Sequence, residues 1–411
     1  CTRPPPAPIV AAAPDAAAPP PAGFDGGSEA PALDGGAGEL NHVLCTGQSL
    51  AVGVGGKPAL STTQPFDALM FSAGVKPEGE GALDALAPLV ESGQETMSTA
   101  FAAEVHELAA PSSHRLLVSA NGVGGVAYSG LKKGTRAYTR GLEQVAAAAR
   151  LARARGVTLV VRAVTNVHGE SDHALQNLGY ERDLVEWQAD YERDVRAATG
   201  QASPVPMLHT QVSSWTKLGQ ATSPIPGAQL AASVKSDGKI VLVGPKYQLA
   251  YAKDGIHLSN EGYRHMGEYY AKVYTQVVVL GRRWEPLRPR SITLVGDVVR
   301  VVFHVPVPPL VIDTALVARA DAYGFEYTDD SPVPPRITEV TLDGADAVRI
   351  KLSAAPTAAG RRVRYAYTGT PNARGGPREG PRGNLRDSDE TPSRHKNPLY
   401  DWAVHFDEPV R

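Results

Sequence analysis

Apolar positions follow two alternating spacings through most of the chain. Compact apolar runs at His42–Thr46, Arg115–Ser119, Val157–Val164 and Val205–Thr210 predict short strands, each followed by glycine or polar residues. The third is a nearly continuous β-branched run, as expected of a strand buried on both faces. Between them the spacing lengthens to that of a helix. Glu95 to Leu108 forms one such segment, and Thr139 to Arg155 another, with Leu142, Val145 and Ala149 on one face and Gly156 as its stop. Leu184, Trp187, Tyr191 and Val195 share a third helical face, which Gly200 ends. Ser259 is placed to N-cap a last helix that turns Met266, Tyr270 and Val273 inward and ends near Gly281. Strands alternating with helices predict a parallel α/β sheet.

The pattern changes after Trp284-Glu285-Pro286. Ser291–Val307, Ile337–Leu342, Ala347–Leu352 and Arg361–Thr368 alternate apolar and polar residues, which predicts a β-sandwich-like second domain. Pro371 to Lys396 reads as a long loop and Pro398 to Val410 as a final strand. The first 38 residues carry neither period and are rich in Pro, Ala and Gly, the composition of a tether. The expected organisation is therefore a tether over 1–38, an α/β domain over 39–285 and a β-rich accessory domain over 286–411.

Composition narrows the function. The chain has 411 residues, 42% of them hydrophobic, which suits more than one core. Its formal net charge of −2 offers no basic excess with which to hold nucleic acid. Two cysteines exclude a disulfide framework, and no CxxC pair or histidine spacing points to a metal. Cys45 lies in an apolar run and reads as a buried thiol. Cys1 stands directly ahead of the tether, the arrangement of a mature bacterial lipoprotein acylated on its first cysteine. The expectation is an exported protein, secreted or held at a membrane only through a lipid on Cys1.

Polar motifs sit just after three of the predicted strands, where parallel sheets place their ligand crevice. Gly47-Gln48-Ser49 exposes a serine on a tight turn, with backbone N–H groups behind it for a developing oxyanion. Gly124-Gly125 permits close backbone approach to a substrate. His168-Gly169-Glu170-Ser171-Asp172 gathers charge after the most apolar strand, either to cap the next helix or to supply an acid. Asp254-Gly255-Ile256-His257 spaces a carboxylate so that it can reach the histidine's Nδ1 and turn its Nε2 toward a nucleophile. Each motif alone is common in ordinary turns.

Their order and spacing together resemble the SGNH hydrolases, and within them the carbohydrate acetylesterases that include sialate O-acetylesterases and some acetylxylan esterases. The resemblance covers about Leu40 to Leu280. It implies a flavodoxin-like three-layer α/β fold and a cofactor-free serine esterase acting on O-acetylated glycans. Ser49 would be the nucleophile and His257 the base, with Asp254 or Glu170 as the acid. The backbone of Ser49 and Gly125 would form the oxyanion hole. Gln48, Gly124 and His168 would line the substrate. Members of this family usually carry Gln where His168 stands, and the wider superfamily supplies an Asn donor to the oxyanion. Asn166 is the nearest candidate for that donor. Two other readings compete: an esterase for longer acyl chains or polyesters, and a glycan-binding lipoprotein without activity.

Overall fold

The structure, a computed structural model, describes residues 38–63, 66–109 and 114–411. Cys1, the expected lipidation site, and nearly all of the tether lie outside the described residues.

Seven strands form the main sheet: β1 (Glu39–Gly47), β2 (Leu69–Phe71), β3 (Leu86–Pro88), β4 (Leu116–Ala120), β5 (Thr158–Val167), β6 (Met207–Thr210) and β7 (Ile240–Gly244). Their order is β3-β2-β4-β1-β5-β6-β7, parallel throughout except where β3 runs against β2. Apart from the short edge pair this is a flavodoxin-like order. The chain leaves β1 toward one edge, at β4, and returns on the other side as β5. The C-terminal end of β1 is therefore the topological switch point, where such sheets open a crevice.

The helices are α1 (Ser98–Ala109), α2 (Arg136–Ala154), α3 (Glu170–Ala174), α4 (Tyr180–Thr199), α5 (Ile225–Lys235) and α6 (Asn260–Tyr274). Two-residue alternation along β1 sorts them into layers. Val43 and Cys45 face a core shared with Phe101 and Val105 of α1 and with Met266, Tyr270 and Tyr274 of α6. Leu40 and Leu44 face the other core, with Val145 and Leu151 of α2 and Leu184, Trp187 and Tyr191 of α4. Cys45 is fully buried, and desolvation pushes its thiol up to about 12. The α/β reading of the sequence thus holds.

Three differences have local causes. The helix expected from Glu95 begins at Ser98, because the Glu95 carboxylate turns back to accept from the N–H groups of Leu60 and Ser61 at 2.6 and 2.9 Å. Helix α5 and strand β7 were not legible: α5 starts among Pro224 and Pro226, and its apolar residues do not gather on one stripe. The expected helix end near Gly281 is a π-helical turn over Thr275–Val279.

The β-rich part contains β8 (Arg288–Val295), β9 (Val298–His304), β10 (Val311–Ile312), β11 (Phe325–Thr328), β12 (Ile337–Asp343), β13 (Ala347–Leu352), β14 (Arg362–Tyr365), β15 (Leu385–Arg386) and β16 (Phe406–Pro409). They form antiparallel sheets in the orders β12-β13-β9-β8, β11-β14-β16 and β10-β15. The first two meet through Phe303, whose ring lies 6.4 Å from Phe325 and 6.2 Å from Phe406.

The core does not stop at the junction. Leu287, Ile292, Phe303, Tyr365, Trp402 and Val404 belong to the same apolar cluster as α1 and α6. A buried charge ties the two parts as well. The Lys272 ammonium on α6 donates to Asp389 at 2.9 Å, Asp401 at 2.7 Å and the Leu399 carbonyl at 2.6 Å. Asp387, Asp389 and Asp401 cluster closely enough to attract a cation, and Lys272 supplies it. Replacing Lys272 with Met leaves buried carboxylates without their counter-charge. The expected loss is about 3–5 kcal/mol in denaturant unfolding, and a variant as stable as the parent contradicts this account of the junction.

Candidate active site

Strand β1 ends at Gly47, whose φ of +127° and crowding both require glycine. A Cβ there would sit 2.2 Å from the Val167 carbonyl oxygen at the end of β5. Gln48 N–H donates to that carbonyl at 3.1 Å. The chain then winds into a single 3₁₀ turn, Ser49–Val52. Ser49 is thereby held at the switch point, 8% exposed.

His257 comes from the turn before α6. Ala252 N–H donates to the His257 carbonyl at 2.8 Å and Gly255 N–H to the Ala252 carbonyl at 3.0 Å, closing a narrow loop. Ser259 then caps α6 by accepting from Gly262 N–H at 3.1 Å. Inside the loop, Asp254 Oδ1 accepts from the N–H groups of Ile256 and His257 at 2.9 and 3.0 Å. Its Oδ2 lies 2.7 Å from His257 Nδ1. A nitrogen facing a carboxylate carries the proton, which leaves Nε2 as the acceptor for the Ser49 hydroxyl at 2.7 Å. Partial burial raises the Asp254 carboxyl, but the hydrogen bonds from His257 and the loop outweigh it and hold the group below the usual carboxylate range. The Asp254 side chain is 48% exposed, so solvent screens its charge and its main effect on His257 is orientation.

Glu170, the other candidate acid, lies elsewhere. It is 3% exposed, and its Oε1 accepts from the fully buried Lys246 ammonium at 3.0 Å. Burial raises its carboxyl, while the adjacent Lys246 charge and hydrogen bond overcome that and lower it. Hydrogen bonding to His257 therefore comes from Asp254, and Glu170 forms a buried ion pair with Lys246.

The remaining expected site residues separate into two groups. Gly124 and Gly125 are exposed beside the serine: a Cβ on Gly124 would lie 3.6 Å from Ser49 Cβ, and the space around Gly125 is open. Gln48, by contrast, is buried, and its Oε1 accepts from Ser171 N–H at 3.2 Å, joining the serine turn to α3. His168 is also buried rather than turned to substrate. Its Nε2 faces the Val126 carbonyl at 3.0 Å and so must donate, while Nδ1 accepts from Tyr180 Oη at 2.7 Å. Desolvation lowers its pKa, which suits this neutral form. His168 thus pins the Gly124-Gly125 loop instead of lining the pocket. Asn166, the expected oxyanion donor, is buried as well. It is 1% exposed within β5, with Nδ2 against the Met207 sulfur at 3.4 Å, because two-residue alternation turns it to the buried face of the sheet that carries Met207.

Lys246, Tyr180 and Gln229 were not singled out by the sequence. Nothing in the local spacing around Gly244-Pro245-Lys246 marks the lysine as buried. Gln229 donates to the carbonyls of His168 and Thr210 at 3.1 and 3.0 Å, a role without a local signature.

Comparison with a solved structure supports the fold, and two further structures show lower overall similarity. A carbohydrate acetylesterase from Xanthomonas citri is 15% identical, with a TM-score of 0.55 over 89% of this chain and 80% of that one. NanS is 14% identical with a TM-score of 0.44, covering 58% of this chain and 97% of that one. Est24, a carbohydrate acetylesterase from Sinorhizobium meliloti, is 15% identical with a TM-score of 0.34 over 57% and 98%. No curated protein matches the chain. The model of one family, described as carbohydrate esterase, sialic acid-specific acetylesterase, matches residues 42–276, a span that holds Ser49, Glu170, Asp254 and His257. That match covers more than half of the chain, which therefore belongs to this family of carbohydrate esterases and is a carboxylic ester hydrolase.

Proposed function

We propose that this chain removes O-acetyl groups from carbohydrate through an acyl-enzyme on Ser49. The observation that carries the reading is the continuous relay from Asp254 through His257 to Ser49, with both hydrogen bonds at 2.7 Å. Ser49 Oγ attacks the ester carbonyl as its proton passes to His257 Nε2. The carbonyl oxygen becomes an oxyanion, which in this reading the backbone N–H groups of Ser49 and Gly125 receive. His257 then gives its proton to the departing sugar hydroxyl. Water then attacks the acyl carbon as His257 takes its proton, the bond to Ser49 Oγ breaks as His257 returns that proton to it, and acetate leaves with Ser49 and a neutral His257 restored. Each step moves one proton through one imidazole, and Asp254 keeps that ring in its productive tautomer throughout.

An assembled relay argues against a purely glycan-binding protein. Family membership favours a short acyl group on a sugar over a long acyl chain. The test is acetate release from acetylated xylan and from O-acetylated sialic acid. Ser49→Ala is expected to lower kcat by about 10⁶-fold, and retention of activity by this variant overturns the assignment. With p-nitrophenyl esters, hydrolysis of the acetate is expected to exceed that of the octanoate. The reverse preference supports the longer-chain reading.

The two acids are separated by a second pair of variants. Asp254→Asn is expected to reduce kcat by about 10⁴-fold with little change in stability, because it leaves the wrong tautomer facing Ser49. Glu170→Gln strands the buried Lys246 ammonium and is expected to cost about 3–5 kcal/mol of stability. Protein that remains folded keeps most of its kcat. Measured kcat and unfolding curves for both variants check the division, and the opposite pattern refutes it.

A further inference from the structure

The Asp254–His257 turn belongs to neither a helix nor a strand, and its acid is half exposed. Burial does not fix it in place. Yet the relay works only if Nε2 stays at hydrogen-bond distance from Ser49, and a displacement of about 1 Å can cost about 10²-fold in rate. The turn's own hydrogen bonds fix its shape, and contacts from outside it bear on where it sits beside Ser49.

A loop from the β-rich part lies directly against it. The Arg374 guanidinium donates to the Lys253 carbonyl, one residue before the acid. Gly375 N–H donates to the Gly255 carbonyl at 2.9 Å, in the middle of the turn. The Arg374 stem covers Gly255 so closely that a Cβ on Gly255 would lie 2.6 Å from Arg374 Cβ. The next residues, Gly375 and Gly376, rest on the ring of Tyr251, which pairs across the turn with Leu258. The loop is itself anchored at its other side. Asn372 N–H donates to the Thr216 carbonyl at 2.7 Å, and Thr216 Oγ1 donates to the Ala373 carbonyl at 2.9 Å. Gly369 N–H reaches the Ala221 carbonyl at 2.9 Å. Thr216 lies in the 3₁₀ turn Trp215–Leu218, which packs on α3. The brace therefore spans two loops at the C-terminal edge of the main sheet.

We propose that Arg374 is a positioning residue for catalysis, through which the C-terminal part of the chain holds the Asp254–His257 turn in register with Ser49. The proposal rests on the Ser49 relay described above. It gives the β-rich part a role inside the esterase reaction, apart from any binding of glycan. Arg374 acts on the backbone of Lys253, so the proposal expects kcat rather than substrate affinity to follow it.

The test uses the full chain and compares Arg374→Ala, Arg374→Lys, Arg378→Ala and Ser49→Ala on p-nitrophenyl acetate. Arg378 is exposed in the same loop and serves as the control. Arg374→Ala is expected to lower kcat about 10–100-fold with KM changed by less than about 2-fold, and without a lower melting temperature. Arg374→Lys, which keeps a donor for the Lys253 carbonyl, recovers most of the loss, and Arg378→Ala behaves as wild type. Undiminished kcat in Arg374→Ala overturns the proposal. So does a loss that appears only in KM, or one that accompanies a fall in melting temperature and that lysine does not rescue. Failure of the underlying relay has a different signature, since Ser49→Ala would then remain active too.

Discussion

Ser49 and His257 are 208 residues apart in sequence and share one 2.7 Å hydrogen bond. The rest of the structure can be understood as the means of keeping that contact. On one side, the serine is fixed by the end of β1, where Gly47 passes the Val167 carbonyl too closely for any side chain. On the other, the histidine rides on a narrow turn whose far end is the capped start of α6. Because β1 is buried along both faces and α6 packs on one of them, neither anchor moves without disturbing a core.

Buried charge serves the same contact in two places. Lys246 and Glu170 lie under the site as a pair, at the base of the block that also carries His168 and Ser171. Lys272 binds the acidic C-terminal segment to α6, the helix that follows the histidine turn. Ion pairs of this kind add little net stability compared with apolar packing, but they are expensive to break singly. They therefore specify one arrangement of the loops they join. The shared core and the Arg374 loop follow the same logic, since the β-rich part touches α6 and its preceding turn along much of their length.

The sequence displayed the strand–helix alternation and all four polar motifs because each is local. Compact apolar runs mark β1, β4 and β5, helical spacing marks α2 and α4, and Asp254 and His257 are near enough in sequence for their pairing to be read directly. What it did not display depends on long-range contacts. Helix α5 and strand β7 have no strong period of their own. The sequence offers Glu170 as a helix cap or an acid and His168 as a substrate contact, and only the tertiary contacts with Lys246, Tyr180 and Val126 show them as buried supports. Asn166 looked available because it precedes the motif, but the alternation of β5 turns it to the helix-covered face beside Met207. Arg374 is one of several arginines in a segment without periodicity, and its position over Gly255 is a property of the folded chain alone.

The central claim is that Ser49 is the group acylated during turnover, activated by His257. Covalent labelling with a p-nitrophenyl phosphonate, followed by intact mass and peptide mapping, tests it most directly. The account predicts one adduct per chain, located on Ser49, and a labelling rate that collapses in His257→Ala. An adduct on another residue, or labelling of Ser49 that proceeds unchanged without His257, would contradict it.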